Sequence, residues 1–291
     1  SKNALSQKTI TSDNIIDDIN EICDARNIKK IFPSHNETEI IGKYKDRFTK
    51  EQVSLVPNSE HCKVFNNKSE AYDLVKDLGI PVPQRIEYAD PNNISNIISE
   101  LKVKRVVIKL LTGNSGKGVF YADSGDEAQK QVKKLIKEFK LEKHRYPQIE
   151  EFVAGQGFGC SVLFWKGKLI TTFTHKRIRE KIKTGGTSTF RESSSHRGIE
   201  DAAIKIFKSI GWHGLAMSEF KVCPKTNKFW FIEVNPRMWG SIPLAIDSGV
   251  EFPYLLYLCS TEGSEAAIEY HQRSHLKLNW KAKWLLGEFF I

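Results

Sequence analysis

Apolar residues at Ile15, Ile16, Ile19, Ile22 and Cys23 recur at helical spacing and predict an amphipathic helix near the start of the chain. The run KKIFPS reads as a short buried strand, TEIIGKYKDRF from Thr38 as a helix, and VSLVP as a second strand. A further helix, KVFNNKSEAYDLVKDLG from Lys63, stops at Gly79, and IPVP follows it. Glycine past a helix end and prolines beyond it are stop signals. Helix and strand thus alternate as in a parallel α/β unit with few repeats.

From residue 84 the pattern changes to strands with intervening helices. RVVIKLL, the glycine loop GNSGKG and VFYA together predict a β-hairpin. A helix at 126–140 precedes QIEEFV, and the strands GCSVLFW and KLITTFTHKRI meet in a tight turn at Lys166 and Gly167. A helix near 199–210, the strands GLAMSEFKV and KFWFIEVN, and a helical tail over 242–260 interrupted at Pro253 complete the pattern. The class is α+β with an α/β prelude, and three units are expected, at 1–82, 83–154 and 155–291.

With 291 residues, 40% of them hydrophobic, the chain can bury a large core. No apolar run approaches the roughly 20 residues needed to cross a bilayer, and SKNALSQKTI lacks the pattern of a secretory signal. The chain opens on Ser1 rather than Met, which reads as processing or trimming. Five widely spaced cysteines without a CxxC pair argue against a disulfide framework or zinc site, so a cytoplasmic setting is expected. The formal charge of +9 leaves nucleic acid, an anionic membrane face or acidic small molecules open. Much of the excess lies on the solvated face of the helix spanning QKQVKKLIKEFKLEKHR, and no nucleic-acid signature accompanies it. Neither a nucleic-acid nor a membrane partner is expected.

Chemistry concentrates in four places. The loop from Gly113 to Gly118 follows a strand ending in Lys109, and glycines let backbone N–H groups approach anionic oxygens, although a plain turn explains the loop equally well. Glu150 and Glu151 close an apolar strand before the glycine-rich VAGQG. Glu219 and the pair Glu233 and Asn235 sit on two strands joined through CPKTNK, neighbours if they form a hairpin. If those strands are antiparallel, the two carboxylates face each other across the ladder. Apposed carboxylates repel unless a cation lies between them, and hard oxygen donors suit Mg²⁺, with Arg237 just past the strand end as a forked phosphate contact. Finally, His175, Arg177, Arg179 and Lys181 share one face of an extended segment, which is either a solvated basic strand or a clamp for an anion.

Taken in order, HCKVFNNK with GIPVP, VVIKLLTGNSGKGV, IEEFVAGQG, MSEFKV and FIEVNPRMWGS resemble the ATP-grasp superfamily over residues 28–260, most closely its carbamoyl-phosphate-synthase-like branch. FTHKRIREKIKTGGTS and RMWGSIPLAIDSGVEFPYLLY carry that closer likeness. The resemblance implies two α+β subdomains clamping a nucleotide, preceded by a Rossmann-like α/β domain, here shortened as though a first strand and helix were missing. It implies ATP and Mg²⁺ (or Mn²⁺) as cofactors. Lys63 and Lys109 correspond to the phosphate-contacting lysines, and Gly113, Ser115, Gly116, Lys117 and Gly118 to the flap. Glu150 corresponds to the adenine-amine acceptor, with Glu151, Phe152 and Val153 beside the ring. Glu219, Glu233 and Asn235 correspond to the metal ligands, and Arg237 to the arginine beside the transferred phosphoryl group. With Arg237, His175, Arg177 and Arg179 are the candidate catalytic residues, as a clamp for substrate or phosphate. The sequence GQGFGCS lacks the glutamate that many relatives use for the ribose, which leaves that contact unassigned.

The implied reaction joins a small-molecule carboxylate to an amine or other nucleophile through an acyl-phosphate. Neither the cysteines nor Ser193 to Ser195 are needed as nucleophiles. A nucleotide-binding regulatory protein and an ATP-grasp kinase are the alternatives, and a homodimer is left open.

Overall fold

The computed structural model describes residues 12–113, 118–182 and 185–288. Four helices come first: α1 (Ser12–Ala25), α2 (Glu37–Lys43), α3 (Ser59–Asn66) and α4 (Lys68–Asp77). Ile16, Ile41, Phe48, Val53 and Val56 form a small core there. The strands expected at KKIFPS and VSLVP do not form, and among the described residues no strand precedes Val106. The two segments and their flanks meet locally, through Ile31 N–H on Gln52 O at 2.8 Å, Gln52 Nε2 on Ile28 O at 3.1 Å and Lys30 Nζ on Ser54 Oγ at 3.1 Å, without a strand ladder. Apolar side chains are buried there without a neighbouring ladder, so the segments remain extended coil and turns. The Rossmann-like prelude expected for this region is therefore a helical one.

The single helix expected from Lys63 to Gly79 is broken. Asn67 leaves the helical region, and its side chain accepts from the N–H of Ser69 at 3.1 Å and of Glu70 at 3.5 Å, capping α4. Lys68 N–H then donates to Leu111 O at 2.8 Å, which ties the start of α4 to the next unit.

That unit comprises α5 (Ile94–Glu100), β1 (Val106–Lys109), β2 (Val119–Ala122), α6 (Gly125–Glu138) and β3 (Gln148–Glu151). Its antiparallel sheet has the order β2-β1-β3, with β1 and β2 forming the expected hairpin. Val106, Ile108 and Ile149 pack against Ile94, Ile98, Val132 and Leu135 of the two helices. Alternation along the strands turns Val107 and Lys109 of β1, and Gln148 and Glu150 of β3, to the opposite face.

A larger antiparallel sheet follows. β4 (Gln156–Trp165) and β5 (Lys168–Ile182) are joined by Lys166 and Gly167, whose φ values of 49° and 81° are those of a two-residue hairpin turn. Next come β6 (Gly185–Ser194), α7 (Arg197–Ser209), β7 (Gly214–Val222) and β8 (Phe229–Asn235). α8 (Ile242–Asp247), α9 (Phe252–Thr261), α10 (Ser264–Gln272), β9 (Lys281–Lys283) and α11 (Leu285–Glu288) complete the chain. Pro253 lies in the first turn of α9, where its missing N–H costs nothing, so it begins a helix rather than interrupting one.

The strand order is β8-β7-β4-β5-β6-β9. One face packs Phe158, Cys160, Val162 and Phe164 against α7 residues such as Phe207 and against Phe65 and Trp212. The other packs Leu163, Leu215 and Met217 against Trp239, Phe252 and Leu255.

Two short segments link the sheets. Phe231 N–H at the free edge of β8 donates to Pro81 O at 2.9 Å. Three residues on, Gln84 O accepts from Glu151 N–H of β3 at 2.8 Å. The return path runs from β3 to β4 through residues 152–155.

Candidate functional site

The second face of the large sheet changes character along β7. Leu215 and Met217 belong to the core, and the next positions on that face are Glu219 and Lys221. Glu219 stands directly opposite Glu233 in the β7–β8 ladder, as expected. A bulge makes this face available. The register slips between Glu219 and Phe220, so that Phe231 and Val234 both enter the α7-side core while Glu233 and Asn235 point the other way.

The same row continues across the sheet through Gly159 of β4 to His175 of β5. A Cβ at Gly159 would stand 2.4 Å from His175 Cε1, and one at Gly157 would stand 3.1 Å from both Arg177 Cδ and Glu180 Oε1. Gly157 and Gly159 therefore make room for His175 and Arg177 to lie across β4.

Arg177 Nη2 pairs with Glu219 Oε1, and Arg177 Nη1 lies 3.4 Å from Glu180 Oε1. Against the pull of burial, Glu219 and Glu180 hold Arg177 above its ordinary range. Asn235 Nδ2 donates to Glu219 Oε1 at 3.1 Å, and its Oδ1 accepts from Arg237 Nη2 at 3.1 Å. Burial and the neighbouring Glu219 push Glu233 up, opposed by Lys68, Lys109 and Arg177. Burial also lowers Arg237, against the fields of Glu233 and Glu219.

The basic strand is only partly as expected. Burial, with Arg177 and Arg191 beside it, lowers His175 to about 3, so the imidazole is neutral and is not one of the cations. Bulges after Arg177 interrupt the alternation and place Arg179 opposite Phe190. An acid, Glu180, lies among these cations, with Lys221 Nζ 3.7 Å from its Oε2.

Facing this array, Lys109 and Glu150 form a buried pair on the small sheet, and Gln148 Nε2 donates to Glu150 Oε1 at 2.6 Å. Both Glu150 oxygens are engaged, and the buried acceptor left without a partner beside them is Gln148 Oε1. Glu151 faces elsewhere, accepting from Gln84 N–H at 3.1 Å. The Phe152 ring lies 4.8 Å from the Arg105 guanidinium, and Val153 is half-buried in the linker to β4. Gly113 and Gly118 have φ values of 129° and 87°, which favour glycine. Ser115, Gly116 and Lys117 lie outside the described residues.

Lys63 is not brought to this site. It is exposed on α3, 2.6 Å from Glu60 Oε1. The lysine that arrives is Lys68, whose Nζ donates to Gly113 O at 2.8 Å. Burial lowers Lys68, opposed chiefly by Glu233 and also by Glu150 and Glu219, while Lys109 adds to the lowering. The capping signal in NNKSE, an asparagine preceding a new helix start, could have separated Lys68 from the helix of Lys63.

Among the described residues no three His, Cys, Asp or Glu side chains converge as a metal cage. Two apposed carboxylates and an amide nevertheless fit Mg²⁺, which is ordinarily held by one or two carboxylates together with substrate phosphates.

A model of the ATP-grasp domain matches residues 65–241, more than half of the chain. The chain belongs to the ATP-grasp family. Lys68 falls inside the matched segment of this ATP-grasp protein and Lys63 outside it. Among curated relatives, the carbamoyl-phosphate synthase of Methanobrevibacter smithii is 24% identical over 196 residues, 64% of this chain and 50% of the relative. The phosphoribosylamine–glycine ligase of Archaeoglobus fulgidus is 28% identical over 134 residues, 45% of this chain and 28% of the relative. The chain thus spans no more than half the length of these relatives.

Among solved structures, the biotin carboxylase domain dimer of Hydrogenobacter thermophilus 2-oxoglutarate carboxylase, in complex with MgADP, ADP and bicarbonate, superposes with a TM-score of 0.68. It shares 15% identity, over 94% of this chain and 60% of that one. Biotin carboxylase from Campylobacter jejuni gives a TM-score of 0.68 at 17% identity, over 91% of this chain and 60% of that one. At these identities the likeness establishes the α+β ATP-grasp fold.

Proposed function

We propose that this ATP-grasp protein is an ATP- and Mg²⁺-dependent carboxylate ligase, and the carrying observation is the Glu219–Glu233 apposition facing Lys109 and Lys68 across the two sheets. Lys109 and Lys68 hold the triphosphate close to Gly113, whose carbonyl accepts from Lys68 Nζ. Gln148 Oε1 and the β3–β4 linker receive the base, the free carbonyl oxygen accepting from an exocyclic amine. Glu219, Glu233 and Asn235 hold the divalent ion, which when bound offsets phosphate charge. Arg237 steadies the γ-phosphoryl group as it moves.

In the reaction an acceptor carboxylate oxygen forms a bond to the γ-phosphorus while the bond to the ADP oxygen breaks. A nucleophile then attacks the acyl carbon and phosphate departs. These residues bind, orient and compensate charge, and no side chain forms a bond to substrate.

Incubation with ATP, Mg²⁺, hydroxylamine and small carboxylates is expected to yield ADP together with hydroxamate, the trapped acyl-phosphate. Tight ATP binding with no ADP release under any carboxylate would overturn the reading in favour of a regulatory binder. A stable phosphoester product would overturn it in favour of a kinase.

A further inference from the structure

The β5–β6 ladder sets Arg177 directly opposite Arg191. Like charges in that position repel unless acids intervene. Arg177 has its acids in Glu219 and Glu180. Arg191 has none among the described residues. Its Nη1 donates to Gly240 O at 2.9 Å and its Nη2 to Ser188 O, while its Nε is buried without a partner, in a residue only 8% exposed. Carbonyl groups orient a guanidinium but do not cancel its charge. Burial and the neighbouring Arg177 lower Arg191 to about 10, which still leaves it protonated at neutral pH.

A buried cation without a counterion is unfavourable unless a ligand brings one. The surroundings fit that role. His175, close enough to feel Arg191, keeps Nε2 3.3 Å from Ser241 Oγ and leaves Nδ1 buried and unpartnered. On the same loop Arg237 Nη1 donates to Met238 O at 2.9 Å, and it too has no acid partner among the described residues. The carbonyls of Met238 and Gly240, two residues apart and so separated by at most about 7 Å of chain, orient the two guanidinium groups.

We propose that Arg191 anchors an acidic group of the acceptor, which is therefore a small diacid: one carboxylate reacts beside Arg237 and the other pairs with Arg191. This rests on the ligase reading. The reacting carboxylate gains the γ-phosphoryl group as ADP leaves, and the anchored one keeps its charge throughout, held by a forked contact.

The test is calorimetric titration, at saturating ADP and Mg²⁺, of succinate and glutarate against butanoate and pentanoate as length-matched monoacids. The wild type is expected to bind the diacids about 30-fold or more tighter, as charge-assisted hydrogen bonds allow. Arg191→Met is expected to abolish that preference with monoacid binding unchanged, and Arg191→Lys to restore it in part. Melting curves establish that each variant is folded, and Arg191→Lys carries the comparison if Arg191→Met is not. Equal affinity for both classes, no diacid binding by the wild type, a preference that survives in Arg191→Met, or one undiminished in Arg191→Lys would overturn the proposal. Hydroxamate formation is measured in parallel. Diacid binding without hydroxamate would sink the ligase reading and leave the anchor standing, whereas hydroxamate from monoacids alone would sink the anchor and leave the ligase.

Discussion

Lys109 Nζ lies 2.6 Å from Glu150 Oε2, and the two side chains are only 6% and 4% exposed. Removing one partner strands the other in the cleft. Lys109→Met is expected to cost about 3–5 kcal/mol, as for other broken buried pairs. The double variant Lys109→Met/Glu150→Met is expected to recover most of that loss without recovering nucleotide affinity. Urea denaturation and ATP calorimetry on the three proteins check both halves.

Glu233 is disfavoured as an anion by burial and by Glu219 opposite it. Glu233→Gln is accordingly expected to stabilise the metal-free protein slightly while lowering kcat by about 100-fold or more, as when a charge-compensating group is lost. Denaturation without Mg²⁺ and turnover with it give the two readings. A destabilised variant would contradict the repulsion described.

Lys63 and Lys68 separate cleanly. Lys63 forms an exposed pair with Glu60 that solvent screens, so Lys63→Ala is expected to be nearly silent. Lys68→Ala is expected to weaken ATP binding by about 10-fold or more, because it deletes a charged donor from the cleft. Equal effects in nucleotide titrations would refute the assignment.

His213 bridges distant segments: its Nδ1 accepts from Lys166 N–H at 3.1 Å and its Nε2 donates to Ser54 O at 2.9 Å. Burial lowers it to about 4, with Lys45 and Lys166 adding and the Ser54 bond opposing. Because its folded value lies below the ordinary 6.5, the unfolded chain takes up the proton first. Stability is therefore complete above that value and declines as pH falls towards 4, by about 3 kcal/mol from this group. His213→Gln is expected to flatten the decline in urea midpoints between pH 7 and pH 4.

Gly159→Ala places a methyl group against a buried imidazole, and overpacking of this kind costs about 1–3 kcal/mol. A lower melting temperature with loss of turnover is expected, and a neutral substitution would show that His175 moves freely.

The sequence carried the alternation that puts Glu233 and Asn235 on one face, but the β7–β8 hairpin register by itself would set Ile232 opposite Glu219, and the bulge moves Glu233 there. It carried the β1–β2 hairpin and the Lys166–Gly167 turn for similar local reasons. KKIFPS and VSLVP have the composition of buried strands, but whether an apolar run finds a ladder depends on neighbours that composition does not record. Lys68 was hidden because one helix drawn through Asn67 made Lys63 equally plausible. Arg191 and Glu180 take their meaning from residues across the sheet, and the Ile232 bulge that aims Glu233 leaves no mark in FIEVN.

Phe231 N–H rests on Pro81 O, and Gln84 O on Glu151 N–H, which leaves Val82 and Pro83 as the outward crossing between the sheets. Under the ligase reading, opening the cleft for a triphosphate is expected to bend the chain there and at residues 152–155. Proline fixes one torsion of the crossing, and Gly155, where a Cβ would meet Val222 O at 2.6 Å, fixes the end of the return path. The strand bearing Glu233 lies beside the outward crossing and its neighbour β7 beside the return path, so under the ligase reading a rotation about them is expected to part the acids from Lys109 along an arc.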